Sequence, residues 1–277
     1  MKISRIEKGN MDEKGYRQEH DSIGERAVPE QAYYGIQTLR AVENFCITRQ
    51  RTHPALIESM VQVKKAAALA NLAAGELDEK RAKAIAAACD EILGGALHDE
   101  FIVDPVQGGA GTSLNMNANE VIANRAIELL GGEKGNYALV SPNDHVNLGQ
   151  STNDVFPSAG RMAARRLLCT ARIRLQALED ALEEKARQFD HVVKMGRTQL
   201  QDAVPIRLGQ EFAAYARAVR RDVARFDTAQ DELKYLNLGG TAVGTGLNAS
   251  PVYANRITGM LSGLSGMEFV QSHDLVD

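Results

Sequence analysis

Apolar residues between positions 159 and 189 recur every three or four residues, which is the period of one face of an α-helix. Neither Gly nor Pro interrupts the chain from Arg161 to Met195. The pattern predicts one long amphipathic helix of about 50 Å, taking 1.5 Å per residue. The apolar positions are Ala159, Ala163, Leu167, Ala171, Leu175, Leu178, Leu182, Ala186 and Phe189.

A second stripe of the same period runs from Leu208 to Leu233, and Pro205 suits the first turn of that helix. Two helices of this length cannot bury all their apolar faces against each other. We therefore expect an elongated bundle that packs against copies of itself. The alternating pattern of a large β-sheet is absent from the sequence.

The chain before residue 150 contains three shorter helical patterns, over 54–72, 78–93 and 115–130. Asp78 is placed to cap the second, and Gly131 and Gly132 end the third. The predicted fold class is mainly α.

The predicted organisation has three parts along the chain. A small helical N-terminal domain over 28–149 precedes the long helices of an incomplete elongated bundle over 150–277. Residues 1–27 are polar and charged, so we expect them to form a loosely ordered arm.

Composition and charge exclude several kinds of partner. The 277 residues are 44% hydrophobic and 25% charged, with a net charge of -4 and no basic stripe. We therefore expect no nucleic acid and no membrane as partners. There is no signal-peptide pattern, and the three cysteines are widely spaced, which predicts reduced thiols in a cytoplasmic protein.

Four adjacent polar residues, Ser151 to Asp154 in "GQSTND", precede the first long helix. Helix capping explains one such side chain, because Ser, Thr, Asn and Asp accept hydrogen bonds from free N–H groups at a helix start. Capping does not require four of them. The alternative is a ligand site, and it depends on whether similar clusters exist.

Three further clusters of hydroxyl and amide side chains occur at predicted helix ends. They are "GGAGTSLNMNANE" at 108–120, "GRTQLQDAVP" at 196–205 and "LGGTAVGTGLN" at 238–248. The first is a Gly-rich turn that feeds a helix, which makes an anion site, but it matches neither a Walker loop nor a dinucleotide fingerprint. The second is also explained by a turn after Gly196 with an N-cap at Asp202, and the third by a flexible connector.

Such groups surround a small anion with uncharged donors. The six histidines are scattered and no paired Cys spacing occurs, so no metal site is predicted, and no G-x-S-x-G elbow is present. Uncharged donors and helix N-termini suit a reaction in which charge builds on a carboxylate, such as elimination across a dicarboxylate. That reaction also needs a general base and a cation.

These motifs resemble the aspartase/class II fumarase superfamily, and its aspartase branch most. The resemblance runs from "VPEQAYYGIQTLRAVENF" through "GGAGTSLNMNANE", "QSTNDVFP", "MGRTQLQDAVPIRLGQEF" and "GGTAVGTGLN" to "DLVD". It implies a homotetramer whose active sites are each built from three subunits. It also implies elimination of ammonia from L-aspartate to give fumarate, without a cofactor.

The resemblance also assigns roles to individual side chains. It implies that Thr112, Ser151 and Thr152 hold the β-carboxylate, where an enediolate develops negative charge. Asn153 and Gln199 are implied to lie near the amino group.

For the α-carboxylate, the resemblance implies a contact with Thr198. Fumarases carry His at the position of Gln199 and "GSGTQSNMN" in place of "GGAGTSLNMN". An amide cannot relay a proton as imidazole does, which disfavours a class II fumarate hydratase, the alternative activity.

The superfamily loop of the form G-S-S-x-M-P-x-K-x-N-P has no counterpart in residues 249–277. That loop supplies the serine base and the Lys and Asn that bind the α-carboxylate. We therefore expect the base beyond Asp277 and an inactive 277-residue chain. Two interpretations follow: the N-terminal portion of an active lyase, or a non-catalytic truncated lyase-like protein.

Overall fold

The computed structural model describes residues 15–276, and it is mainly α-helical as predicted. The helices are α1 (Ile36–Asn44), α2 (Pro54–Ala74), α3 (Glu79–Leu93), α4 (Thr112–Leu129), α5 (Thr152–Gln188), α6 (Leu208–Glu232) and α7 (Pro251–Ser265). The strands are β1 (Tyr16–Asp21), β2 (Gly24–Pro29), β3 (Val193–Thr198), β4 (Gln201–Arg207), β5 (Tyr235–Leu236) and β6 (Val270–Gln271). They form three two-stranded ribbons, of which β1–β2 and β3–β4 are antiparallel and β5–β6 is parallel.

The three shorter helices match their predictions closely. Asp78 caps α3, because its Oδ1 accepts from the backbone N–H of Arg81 at 3.0 Å. After α4, Gly131 adopts a left-handed conformation with φ 81°. Glycine adopts this conformation without the steric cost that a Cβ brings, so it ends the helix.

The main hydrophobic core lies around α2, which packs against α3, α4, α5 and α7. Tyr253, Ile257 and Leu261 of α7 are fully buried in this core. The sequence analysis placed α7 with the long helices, whereas the structure packs it on α2 because these apolar residues face the α2 surface. The domain boundary at 149/150 stays a prediction.

The loosely ordered arm predicted for residues 1–27 is wrong from Tyr16 onwards, where β1 and β2 form a hairpin; residues 1–14 lie outside the described residues. Long-range hydrogen bonds hold this hairpin. Glu19 is buried and accepts from the N–H of Ile36 and the hydroxyl of Tyr137, both at 2.9 Å. Arg17 donates to four backbone carbonyls of residues 29–34.

The long helices α5 and α6 pack against each other along their length. The helix α5 spans about 55 Å at 1.5 Å per residue and ends at Gln188. The predictions that Gly196 ends this helix and that Asp202 caps the next are wrong, because both residues lie in the β3–β4 hairpin. Pro205 also lies in β4, and α6 begins at Leu208.

Candidate functional site

The N-terminus of α5 begins at Ser151, whose side chain caps the helix. Ser151 Oγ accepts from the N–H of Asn153 at 3.2 Å, and Asp154 Oδ1 accepts from the N–H of Ser151 at 2.9 Å. This reciprocal pair is a capping box. The capping interpretation is therefore confirmed for Ser151 and Asp154.

The second carboxylate oxygen of Asp154 holds the Gly-rich loop at 238–248. It accepts from the N–H groups of Gly239 and Thr241, both at 3.1 Å. Burial raises the pKa of Asp154, while these backbone donors oppose that shift. The neighbouring Asn153 donates from Nδ2 to the carbonyl of Ala242 at 2.7 Å, so the fourth polar cluster is attached to the first.

The second cluster meets the first at the N-terminus of α4. Gly111 has φ 98°, and an added Cβ there would overlap the ring of Phe156 on α5. The glycine therefore permits close contact between the two helix starts. Asn115, in the first turns of α4, donates from Nδ2 to Thr152 Oγ1 at 3.1 Å.

Thr112 is the first residue of α4, and its hydroxyl donates to the carbonyl of Gly109 at 2.6 Å. Beside it opens a cavity of about 510 Å³ that Asp21, Arg40 and Glu120 also line. Asp21 and Arg40 form an ion pair at 2.8 Å. The cavity therefore carries paired charges next to the exposed Thr112 hydroxyl.

Glu120 is buried beneath this cavity and accepts four hydrogen bonds at the start of α1. The donors are the N–H groups of Gly35, Gln37 and Thr38 and the Thr38 hydroxyl, at 2.6 to 3.0 Å. Burial raises the pKa of Glu120 to about 7 against these donors. The side chain anchors α1 to α4.

Four of the six predicted binding residues thus lie together: Thr112, Ser151, Thr152 and Asn153 gather at the adjoining N-termini of α4 and α5. Helix N-termini present free N–H groups and a positive dipole end, so this region is suited to bind an anion.

Thr198 and Gln199 do not join that group within one chain. Both are exposed in the turn of the β3–β4 hairpin, which follows the far end of α5. The ten residues from Gln188 to Thr198 can return at most about 35 Å along the 55 Å helix, even when fully extended. These two side chains therefore lie roughly 20 Å or more from Thr152 in the same chain.

The sequence analysis missed Lys64, a fully buried residue of α2. Lys64 Nζ donates to Asn147 Oδ1 at 2.8 Å and to Gln150 Oε1 at 2.9 Å, in the segment that leads to Ser151. The sequence did contain a sign that Lys64 is buried. It lies four residues after Met60 and four before Ala68, on the apolar face of α2.

Among residues 15–276 there is no group of three or more His, Cys, Asp or Glu side chains placed to hold a metal ion. Within the same range, no helix is both long enough and apolar enough to cross a membrane.

Residues 24–277 match the sequence family described as Lyase. Aspartate ammonia-lyase from Bacillus subtilis (strain 168) is 52% identical over 265 residues, which cover 96% of this chain and 56% of that protein. Fumarate hydratase class II from Halobacterium salinarum is 50% identical over 255 residues, which cover 92% of this chain and 54% of that protein.

A solved structure agrees with these matches. The fumarate lyase:delta crystallin from Brucella melitensis bound to cobalt superimposes with a TM-score of 0.91 at 52% identity, covering 94% of this chain and 57% of that one.

The chain therefore belongs to the Lyase family, an enzyme family, and has the mainly helical fold of the aspartase/class II fumarase superfamily. Within that superfamily it is similar over nearly its whole length to aspartate ammonia-lyases, as the motifs predicted. It spans about 56% of the length of the Bacillus subtilis relative.

Proposed function

We propose that this chain supplies part of the active site of an aspartate ammonia-lyase, which eliminates ammonia from L-aspartate to give fumarate. The observation that carries the proposal is the gathering of Thr112, Ser151 and Thr152 at two adjoining helix N-termini. These groups would bind the β-carboxylate of the substrate with uncharged donors.

The chemistry of the reaction explains why such donors help. A base removes a proton from Cβ, and the electron pair delocalises into the β-carboxylate as an enediolate. The Cα–N bond then breaks, with its electrons leaving on nitrogen, and the Cα–Cβ double bond of fumarate forms. Donors aimed at the β-carboxylate stabilise the intermediate more than the substrate, which accelerates proton removal.

Asn153, in the same cluster, is proposed to lie near the amino group of the substrate. The other groups that the reaction needs come from outside this cluster, and we place the base beyond Asp277. Thr198 and Gln199 are proposed to contact the α-carboxylate and the amino group in a site of a neighbouring subunit. Their separation of roughly 20 Å or more from Thr152 in the same chain supports a shared site in a homotetramer.

A chimera tests the assigned activity. In it, residues 1–277 replace the corresponding part of the Bacillus subtilis aspartate ammonia-lyase. We expect fumarate, measured by ultraviolet absorbance, from L-aspartate and not from L-malate. Thr152→Val keeps the side-chain shape but removes the hydroxyl, so kcat should fall about 100-fold or more, the usual effect of one lost oxyanion donor.

Thr228→Val is the matched control, because the Thr228 hydroxyl only donates to the carbonyl of Ala224 on α6. Fumarate from L-malate alone would support the class II fumarate hydratase, an alternative favoured by the 50% identity to the Halobacterium salinarum protein. A folded chimera inactive with both substrates would contradict both activities and favour the non-catalytic interpretation. The 277-residue chain alone should form no fumarate, and activity there would refute a base beyond Asp277.

A further inference from the structure

Lys64 combines complete burial with uncharged direct partners. Its ammonium donates to the side-chain oxygens of Asn147 and Gln150. The titratable groups that face it are Asp154 on α5, whose negative charge favours the ammonium, and Cys89 on α3, a neutral thiol because burial raises its pKa. Burying a cation without a carboxylate in direct contact is unfavourable, so the side chain calls for an explanation.

Below its pKa of about 7 Lys64 is an ammonium, which can only donate hydrogen bonds. Asn147 must therefore turn its Oδ1, and not its NH₂ group, towards Lys64. The same oxygen accepts from Asn115 Nδ2 at 3.4 Å and from Asn119 Nδ2 at 3.2 Å. The lysine thus determines which way the amides of both α4 asparagines point.

The direction of the Asn115 amide in turn determines what Thr152 can do. Asn115 Nδ2 donates to Thr152 Oγ1, so the threonine oxygen acts as an acceptor and its O–H remains free to donate elsewhere. If the Asn115 amide were reversed, its Oδ1 would face Thr152 and accept a hydrogen bond from the Thr152 hydroxyl. That hydroxyl could then not donate to a bound anion.

A second observation indicates that this orientation is imposed. Asn115 Oδ1 and Asn119 Oδ1 are buried and have no hydrogen-bond partner among the residues that the structure describes. Leaving such an oxygen unpaired is unfavourable. Both amides nevertheless point their NH₂ groups at Asn147, as the donor-only lysine requires.

We propose that Lys64 is a positioning residue that fixes the direction of a hydrogen-bond relay, Lys64 to Asn147 to Asn115 to Thr152, so that Thr152 presents its proton to a bound carboxylate. The relay stands on these contacts alone. Its use for a substrate carboxylate rests on the function proposed above.

Side-chain amide NMR of the 277-residue chain, labelled with ¹⁵N and kept about one pH unit below the pKa of Lys64, tests the relay without any ligand. In Lys64→Met the NH₂ resonances of Asn147, Asn115 and Asn119 should shift, and their hydrogen exchange should accelerate about tenfold, as expected for loss of a charge-assisted hydrogen bond. Asn115 and Asn119 do not bond to Lys64 directly. Loss of the direct contact between Lys64 and Asn147 would therefore not by itself change their resonances.

Internal controls come from α4 itself. Asn117 donates to the carbonyl of Glu100 at 3.0 Å and Asn124 to that of Tyr33 at 2.8 Å, and both should keep their resonances. Lys65→Met is the control variant, because Lys65 pairs with Asp90 outside the relay. Unchanged Asn115 resonances in folded Lys64→Met would overturn the proposal.

If Lys64→Met does not fold, variants of Asn147 carry the test. Asn147→Asp keeps an acceptor for Lys64, so Asn115 should stay protected from exchange, whereas Asn147→Leu removes the acceptor and should release it. Equal protection of Asn115 in both variants would refute the relay.

Succinate added to the wild-type chain tests the proposed function separately. Shifts of the backbone amides at Thr112, Ser151 and Thr152 would support carboxylate binding there. Their absence, together with the amide changes expected for Lys64→Met, would leave the relay intact and count against its use for a substrate.

Discussion

The four adjacent polar side chains of "GQSTND" have different partners. Ser151 Oγ accepts from the N–H of Asn153, and Asp154 Oδ1 accepts from the N–H of Ser151. The Asn153 amide donates to the carbonyl of Ala242. Thr152 Oγ1 accepts a hydrogen bond from Asn115 Nδ2, so its own O–H can donate to another group. The sequence predicted both capping and a ligand site here; capping is confirmed for part of the cluster, and the ligand role stays a prediction.

A single residue, Lys64, should make the free energy of unfolding depend on pH. Burial lowers the pKa of Lys64 from 10.5 to about 7. Between these values the unfolded chain binds a proton that the folded chain does not, so the free energy of unfolding should rise with pH by about 1.4 kcal/mol per unit. Below pH 7 the unfavourable protonated state persists, and this contribution is constant.

Urea unfolding at several pH values, compared with Lys64→Met, measures that slope. The variant should lack the rise, whereas Lys65→Met should retain it, since Lys65 pairs with Asp90. Parallel pH profiles for the wild type and Lys64→Met would contradict the prediction.

Among the elements, the β3–β4 hairpin is where the sequence was least informative. Helical spacing of apolar residues continues to Phe189, and neither Gly nor Pro occurs from Arg161 to Met195. Val193 lies in a strand because it pairs with Arg207, fourteen positions later. The local spacing of apolar residues carries no information about such a distant partner, so the helix was predicted to end too late.

The β1–β2 hairpin was missed for a similar reason. A turn signal is present, since Asp21 Oδ1 accepts from the N–H groups of Ile23 and Gly24. The contacts that hold the ribbon join Glu19 to Tyr137, more than a hundred residues away. Polar composition alone therefore suggested a loose arm.

Gly209 should be essential for the contact between the ends of α5 and α6. A Cβ on Gly209 would meet the carbonyl oxygen of Ala186 and lie 2.7 Å from the Cα of Asp190. Both neighbours are backbone atoms that cannot move aside easily. Gly209→Ala should therefore lower the free energy of unfolding by about 1–3 kcal/mol, as overpacking usually does.

Gly263→Ala provides the matched comparison in the same urea experiment. Gly263 lies in α7, and outside its own stretch of helix backbone an added Cβ would meet no atom of residues 15–276 within 4 Å. Alanine should stabilise the helix there by about 0.5–1 kcal/mol. Equal effects of the two substitutions would refute the steric argument.

At the scale of the whole molecule, the α5–α6 pair leaves large apolar side chains uncovered. Ile173 is 64% exposed, and Leu167, Leu178 and Tyr215 are between 47% and 57% exposed. Exposed large apolar side chains on a helix pair are typical of interfaces. The sequence predicted an unpartnered stripe, but one chain cannot specify the geometry of the copies that would cover it.

Light scattering after size-exclusion chromatography should give the mass of four chains. Leu178→Glu places a charge in the predicted stripe, where Leu178 is 47% exposed, and should shift the protein towards smaller species. Val252→Glu, on α7 and 42% exposed, should leave the mass unchanged. A single-chain mass for the wild type would contradict a tetramer built by this part of the protein.

The positions of the candidate residues could be predicted where they depend on consecutive residues, but not where they depend on packing. Motifs placed Thr112, Ser151 and Thr152 at helix starts, and the structure brings those starts together. Lys64 has no motif, and its role depends on Asn147, which lies 83 positions away in the chain.

The 55 Å length of α5 also has a genetic consequence. If sites are shared between subunits as proposed, Thr152 at the start of α5 and Thr198 in the β3–β4 hairpin that follows α5 belong to different sites. In an assembly that contains chains altered at Thr152 and chains altered at Thr198, some sites would combine the unaltered Thr152 of one chain with the unaltered Thr198 of another. Two alleles that are each inactive alone would then restore part of the activity together, whereas two alleles altered at the same end would not.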